Sequence, residues 1–222
     1  MKKLKEILNE EWETSKKPGS NEFHDLSIQS AEFRKHFKYK SNHIGSLENY
    51  ASTSRGLNDY HWKRHTNPEI QDWQNDNHTT ALDAAIQHRK APRDISVYSG
   101  TRNDPRKLKD SEGIVHHPAY LSTSFSRSTA ENFAMRNDVQ NEKKTVHGMQ
   151  VRDRHLLKFD IPKGHPVAHV DDYENELILP RGTKLQHIKT TTKTHTEYPK
   201  EGAVEGAEAI KVHNHTHHMK IV

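Results

Sequence analysis

The sequence predicts an α+β domain, and three observations carry that prediction. Helical periodicity is confined to the chain before Pro92. Short β-rich runs bounded by Gly, Pro and Ser take over after it. The two kinds of segment do not alternate as a βαβ sheet would require. The chain has 222 residues, enough for one domain with a real core and a helical extension. Only 31% of residues are hydrophobic, 29% are charged and 19 are His, which favours a compact domain with long polar loops over a large multilayer fold. Three Trp, seven Tyr and six Phe among short apolar runs, with a net charge of only +4, exclude full disorder.

In chain order, Leu4, Ile7, Leu8 and Trp12 mark one face of a short helix over residues 3–15, ended by Lys-Lys-Pro-Gly-Ser at 16–20. Phe33 and Phe37 suggest a second helix over residues 30–39. Residues 45–54 and 56–65 read as a third and a fourth. The Asn/Asp/Gln-rich stretch 66–78 reads as a loop with one turn around Trp73. Thr79 or Thr80 is the expected N-cap of a helix through Leu82, Ala85, Ile86 and Arg89. Residues 95–98 then read as a strand closed by Ser99-Gly100, and 120–125 as β-rich. Residues 128–134 form a capped short helix and 135–150 a polar loop. Residues 155–161 and 176–179 are strands stopped by Pro and Gly, 167–170 is another short strand, and 184–188 and 209–222 add further strands. His116-His117, before Pro118, is expected in a loop. The whole chain is read as one domain, with residues 1–44 a helical extension, 45–190 the core and 191–222 the C-terminal strands.

There is no cysteine, so disulfides, thiolate nucleophiles and Cys-based zinc sites are excluded, and a reducing cytoplasm is the expected setting. An acidic stretch at residues 9–13 follows the basic N-terminus where a signal peptide needs an apolar segment. No apolar run is long enough to span a membrane. Basic residues are interleaved with acidic ones, which reads as a solvated mixed-charge surface. The tail His213-Asn214-His215-Thr216-His217-His218 offers imidazoles at chelating spacing, but no Cys or Asp/Glu cluster stands nearby in sequence, so no metal is expected.

Three segments stand out together: Val97-Tyr98-Ser99-Gly100, Leu121-Ser122-Thr123-Ser124, and Glu174-Asn175-Glu176 followed by Leu-Ile-Leu-Pro-Arg-Gly-Thr. In this order and at these separations they resemble the R-S-E class of mono-ADP-ribosyltransferases. That class includes arginine-modifying toxins, C3-like exoenzymes and the Mod-type transferases of T-even phages, and the small size suggests the phage type most. Asn49-Tyr50-Ala51-Ser52-Thr53-Ser54 with Leu57-Asn58-Asp59-Tyr60 is similar to the family's helical Tyr-Thr … Ile-Asn segment. The resemblance covers roughly residues 45–190. It implies an ADP-ribosyltransferase-like fold, with N-terminal helices against a split, mainly antiparallel β core and NAD in the cleft between its halves.

What the resemblance implies for the chemistry is transfer of ADP-ribose from NAD, as substrate, to a macromolecular acceptor. The expected acceptor is a protein arginine of the host, with RNA or DNA as a lesser alternative. Breaking the bond from nicotinamide to ribose develops an oxocarbenium-like charge, so the protein must position NAD and stabilise that charge. Glu176 is implied to accept from the ribose 2′-hydroxyl. Glu174, two residues earlier and on the same face of a regular strand, is implied to orient or deprotonate the attacking group. A guanidinium needs such help because its pKa exceeds about 12. Ser122 holds Glu176 and contacts the ribose. Thr123 and Ser124 shape the strand beneath the nicotinamide, Tyr98 and Phe125 supply apolar walls, Gly100 closes the first motif, and Tyr173 faces the target. The family's arginine before that glycine is Ser99 here, and Arg102 is the candidate replacement for gripping a phosphate. An NAD glycohydrolase and a weakened NAD-binding homologue are the alternatives within the class. A basic nucleic-acid-binding module is the alternative from another class.

Overall fold

The structure, a computed structural model, describes residues 41–101, 104–138, 144–146, 149–171, 176–198 and 209–222. The helices expected over residues 3–15 and 30–39 lie outside these residues. The described chain opens with two helices, α1 (Ser41–Thr66) and α2 (Trp73–Gln87). The sequence expectation for α1 is corrected. The helices expected over 45–54 and 56–65 are one, continuous through Gly56. A mid-helix glycine costs about 1 kcal/mol relative to alanine. Burying Leu47, Tyr50, Leu57 and Tyr60 of α1 against Leu82, Ala85 and Ile86 of α2 outweighs that cost, at about 1.5–3 kcal/mol for each large side chain.

Of the loop expected over 66–78, residues 67–72 are non-helical and residues 73–78 are the first part of α2. Asp72 is the N-cap, its carboxylate accepting from the backbone N–H groups of Gln74 and Asn75. Thr79, expected to cap, is buried within the helix, its Oγ1 3.1 Å from His61 Nε2. The Thr80 hydroxyl donates back to the Asp76 carbonyl. The polar run 74–78 carries no apolar stripe, which hid the helix from a periodicity reading.

After α2 come β1 (Ile95–Thr101), a 3₁₀ turn (Pro105–Leu108), β2 (Ile114–His117), β3 (Leu121–Ser124) and α3 (Arg127–Asp138). The remaining strands are β4 (Lys144–Val146), β5 (Met149–Ile161), β6 (Ala168–Asp171), β7 (Glu176–Leu179), β8 (Thr183–Glu197) and β9 (Ile210–Ile221). His116 and His117, expected in a loop, form part of β2 and pair with Lys184 and Thr183 of β8. The polar loop expected over 135–150 is shortened by the end of α3, by β4 and by the start of β5. Long polar strands such as β8, rich in Thr, escape a hydrophobic-pattern reading because most of their side chains are exposed.

The strands form one nine-stranded sheet in the order β2-β8-β9-β5-β1-β3-β7-β6, with β4 on β5. Every pairing is antiparallel except β5 with β9. One core cluster joins Val115, Leu185 and Met219 from one end of this path to Leu121, Leu177 and Leu179 from the other. The sheet therefore folds over, and its two halves pack face to face. The outer face of β3, β7 and β6 is covered by α1 and α2 through Ile178, Ala168 and Tyr120.

Candidate active site

The site forms where α1 crosses the outer face of β3 and β7. In the β3–β7 register Ser124 lies opposite Glu176 and Ser122 opposite Ile178. Alternation along a strand puts Ser122 and Glu176 on one face as a diagonal pair. The Ser122 hydroxyl donates a short hydrogen bond to Glu176 Oε1. Both side chains are partly exposed, so the carboxylate is held in place yet open to a ligand.

The support beneath this pair is polar and ordered. Ser99 on β1 donates its hydroxyl to the Ser122 carbonyl at 2.7 Å. Thr123, pointing the other way, donates to the Leu177 carbonyl at 2.8 Å. Ser124 Oγ accepts from the Ser126 backbone N–H at 3.0 Å, and Ser126 Oγ accepts from the Thr129 N–H, capping α3. The three hydroxyl residues of β3 thus have three separate jobs: Ser122 on the carboxylate, Thr123 on the neighbouring strand, and Ser124 at the turn into α3.

α1 supplies what a list of strand motifs leaves out. Tyr50 is fully buried, and its hydroxyl accepts from Asn58 Nδ2 at 3.1 Å. Burial, and then the Glu176 charge, push the Tyr50 phenol well above its ordinary pKa, against the opposite effect of hydrogen bonds to Asn58 and Ser122. Tyr50 therefore stays a neutral phenol beside the carboxylate. Asn58 Oδ1 accepts from the Tyr120 backbone N–H just before β3. The Tyr120 hydroxyl donates to Asp83 Oδ1 at 2.8 Å, and Arg181, after β7, donates to Asp83 Oδ2 at 2.9 Å. One network thus ties α1, α2, β3 and the turn after β7 around the Ser122–Glu176 pair. Tyr50 and Asn58 were visible in sequence only as part of a similar segment; their chemistry follows from the way α1 packs.

Other expected site residues sit differently. Phe125 is 1% exposed and lies in the core between the sheet halves, so its ring is not a free wall. Tyr98 is 2% exposed and packs against Ala130 of α3 and Leu156 of β5, with Lys158 over its ring. Both belong to the buried scaffold, because the strands carrying them are covered on that side. A Cβ at Gly100 would stand 2.3 Å from the Ala130 carbonyl oxygen and 2.5 Å from the Ala134 nitrogen. Gly100 is therefore the close-approach point of α3 on β1. Ser99 is 6% exposed and is engaged with β3. Arg102, Tyr173 and Glu174 lie outside the described residues.

No helix among the described residues is long and apolar enough to cross a membrane. A profile of the family described as ADP-ribosyltransferase exoenzyme matches residues 30–216. No curated protein sequence matches significantly. Among solved structures, Plx2a, an ADP-ribosyltransferase toxin from Paenibacillus larvae, superposes with a TM-score of 0.59 at 15% identity, over 88% of this chain and 96% of that one. C3stau2 from S. aureus, solved with NAD, gives 0.56 at 13% identity, over 89% and 94% of the two chains. The C3 exoenzyme of Clostridium limosum gives 0.56 at 12% identity, over 92% and 98%. At such identities the structural likeness concerns the fold, and the profile match carries the family. Because that match takes in both helices of the cover, the Ser122–Glu176 pair and the folded-over sheet as far as residue 216 in β9, the chain belongs to the ADP-ribosyltransferase exoenzyme family and is an NAD-dependent mono-ADP-ribosyltransferase.

Proposed function

We propose that this enzyme passes ADP-ribose to a protein, with an arginine guanidinium as the attacking group and Glu176 as the residue that makes the glycosidic bond break. One observation carries the assignment of Glu176: its carboxylate is gripped by Ser122 at the open end of the β3–β7 pair, beside the neutral Tyr50 phenol. A fixed carboxylate accepts from the ribose 2′-hydroxyl and faces the positive charge that develops as nicotinamide departs. That interaction strengthens toward the transition state and so accelerates the reaction. The Ser122 hydroxyl, committed to Glu176, sets the angle at which the carboxylate meets the ribose. The arginine reading rests on Glu174, whose spacing from Glu176 suits a second carboxylate on the same side of the sugar. That carboxylate orients the guanidinium and takes its proton as the new C–N bond forms.

Ser99 favours a second reading. Its side chain is engaged with the Ser122 carbonyl, and the motif resemblance implies that it stands where the family carries its phosphate-gripping arginine. A looser hold on NAD lets water compete with the acceptor, which gives NAD glycohydrolysis from the same site. The test is nicotinamide release and label transfer from NAD by wild type, Glu176→Ala and Glu174→Ala, with and without a bacterial lysate. Loss of both reactions in Glu176→Ala, and loss of transfer with hydrolysis retained in Glu174→Ala, supports the proposal. Transfer retained in Glu176→Ala removes it. Hydrolysis without transfer to any lysate protein supports the glycohydrolase.

A further inference from the structure

The histidines of the C-terminal strand have no part in the site above, yet they are ordered with care. On β9, His213, His215 and His217 share one face, and each ring Nδ1 lies within 3 Å of a threonine hydroxyl on β8: Thr194 at 2.7 Å, Thr192 at 2.9 Å and Thr190 at 2.9 Å. At His217, a Thr190 hydroxyl that accepts the Nδ1 proton leaves Nε2 with an electron pair, which is how outer partners orient metal-binding histidines; at His215 the Asp153 carboxylate accepts from Nε2–H instead. The Nε2 atoms of His215 and His217 point toward β5. His215 Nε2 reaches Asp153, and His217 Nε2 stands 3.0 Å from His155 Nδ1. His217 is wholly buried and His155 nearly so. Asp104, after β1, completes the group: one ligand atom from each of Asp104, His155 and His217 lies within 4.8 Å of the others.

We propose that Asp104, His155 and His217 form a transition-metal site, a three-ligand N₂O centre suited to Zn²⁺. Two imidazoles and one carboxylate are a ligand set zinc accepts, with bonds of about 2.0–2.2 Å and water in the fourth position. Tetrahedral ligands at that bond length stand about 3.3 Å apart. The two ring nitrogens, 3.0 Å apart, stand close to that spacing, and an Asp104 ligand atom lies within 4.8 Å of both. A cation entering here breaks the hydrogen bond between the two rings: the single His155 proton moves from Nδ1 to Nε2, so that both facing nitrogens present electron pairs.

Asp104 is held by Arg106, whose backbone N–H, Nε–H and Nη2–H donate to its two oxygens. A carboxylate offers about four lone-pair sites, so one remains for a metal while Arg106 fixes its direction. The three ligands come from β5, β9 and the exit of β1. A bound metal therefore joins β5 and its neighbour β9 to the segment that follows Tyr98, Ser99 and Gly100 of β1, and its part is to hold the scaffold, not to carry the transfer chemistry.

The probe is Co²⁺, whose visible bands report tetrahedral coordination, titrated into the full chain freed of any histidine tag. One Co²⁺ per chain with tetrahedral bands, displaced by Zn²⁺, is expected. Asp104→Asn and His155→Gln should each weaken binding at least about tenfold, with the far-ultraviolet circular dichroism unchanged. His213→Gln, on the same strand but outside the cluster, should leave affinity within about twofold. Zn²⁺ should raise the thermal midpoint of wild type and not that of Asp104→Asn. If His155→Gln fails to fold, Asp104→Asn decides. Absence of tetrahedral bands in folded wild type, unchanged affinity in Asp104→Asn, or loss of the site in His213→Gln would each overturn the proposal.

Discussion

Replacing Gly100 with alanine tests the packing that places the catalytic strand. The added methyl meets two atoms of the α3 backbone, the Ala130 carbonyl oxygen at 2.3 Å and the Ala134 nitrogen at 2.5 Å, and the Phe133 Cβ at 3.0 Å. Non-bonded atoms settle near 3.5 Å or beyond, so α3 must withdraw by about 1 Å. Helix backbone cannot rotate out of the way as a long side chain can, and an inserted methylene in a tight core costs about 1–3 kcal/mol. Against this, alanine lowers the entropy of the unfolded chain and returns about 0.4–1 kcal/mol. The steric term wins, leaving a net loss of about 1–2 kcal/mol. In a chain of this size each kcal/mol moves the thermal midpoint by about 2–4 °C, so the expected fall is about 2–8 °C.

Because Ser126 caps α3 immediately after β3, the withdrawal also pulls on Ser122, and NAD cleavage should drop with stability. Gly56→Ala is the internal control. It sits inside α1 with nothing within 4 Å of the new methyl, so it should stabilise by about 0.5–1 kcal/mol. Thermal unfolding followed by circular dichroism measures both. A Gly100→Ala midpoint equal to or above that of wild type would refute the reasoning.

Three further outcomes are expected. Ser122→Ala removes the donor from an ionised Glu176; hydrogen bonds to charged groups contribute about 1.5–3 kcal/mol, so kcat/KM for NAD cleavage should fall roughly 10- to 150-fold, and a change under about threefold would sink the positioning role. Tyr50→Phe keeps the ring in its buried place but removes the hydroxyl between Asn58 and the site; cleavage should slow while the thermal midpoint shifts little, and a loss of stability without a loss of rate would make Tyr50 a packing residue only. His61 is buried, and burial, with Arg181 next, lowers its pKa from 6.5 to about 4, against the pull of Asp83 and Asp76. Its unfolded state binds the proton first, so the stability it contributes is whole above 6.5 and is lost as pH falls toward 4. Between pH 6.5 and 5 that share is about 2 kcal/mol, and denaturant titrations of His61→Gln should lack it; equal acid sensitivity in wild type and variant would count against the assignment.

The α+β class, the strand over residues 176–179 and the three motif segments were legible because each rests on local pattern: periodicity, turn residues and short-range spacing. Ser122 and Glu176 were named from motif resemblance. That they touch is a matter of β3–β7 register, which the sequence does not display. The continuity of α1 through Gly56 was hidden because local propensity argued for a break, and only burial against α2 reversed it. Tyr98 and Phe125 read as exposed walls because an aromatic beside a motif looks the same whether a neighbouring element covers it or not. The Asp104–His155–His217 group was invisible for a related reason: its members come from three separated segments. Composition and local order are properties of the chain itself. Which face of a strand is covered, which carboxylate meets which hydroxyl, and which histidines converge depend on contacts between residues far apart in sequence, and those exist only once the sheet has folded over on its core.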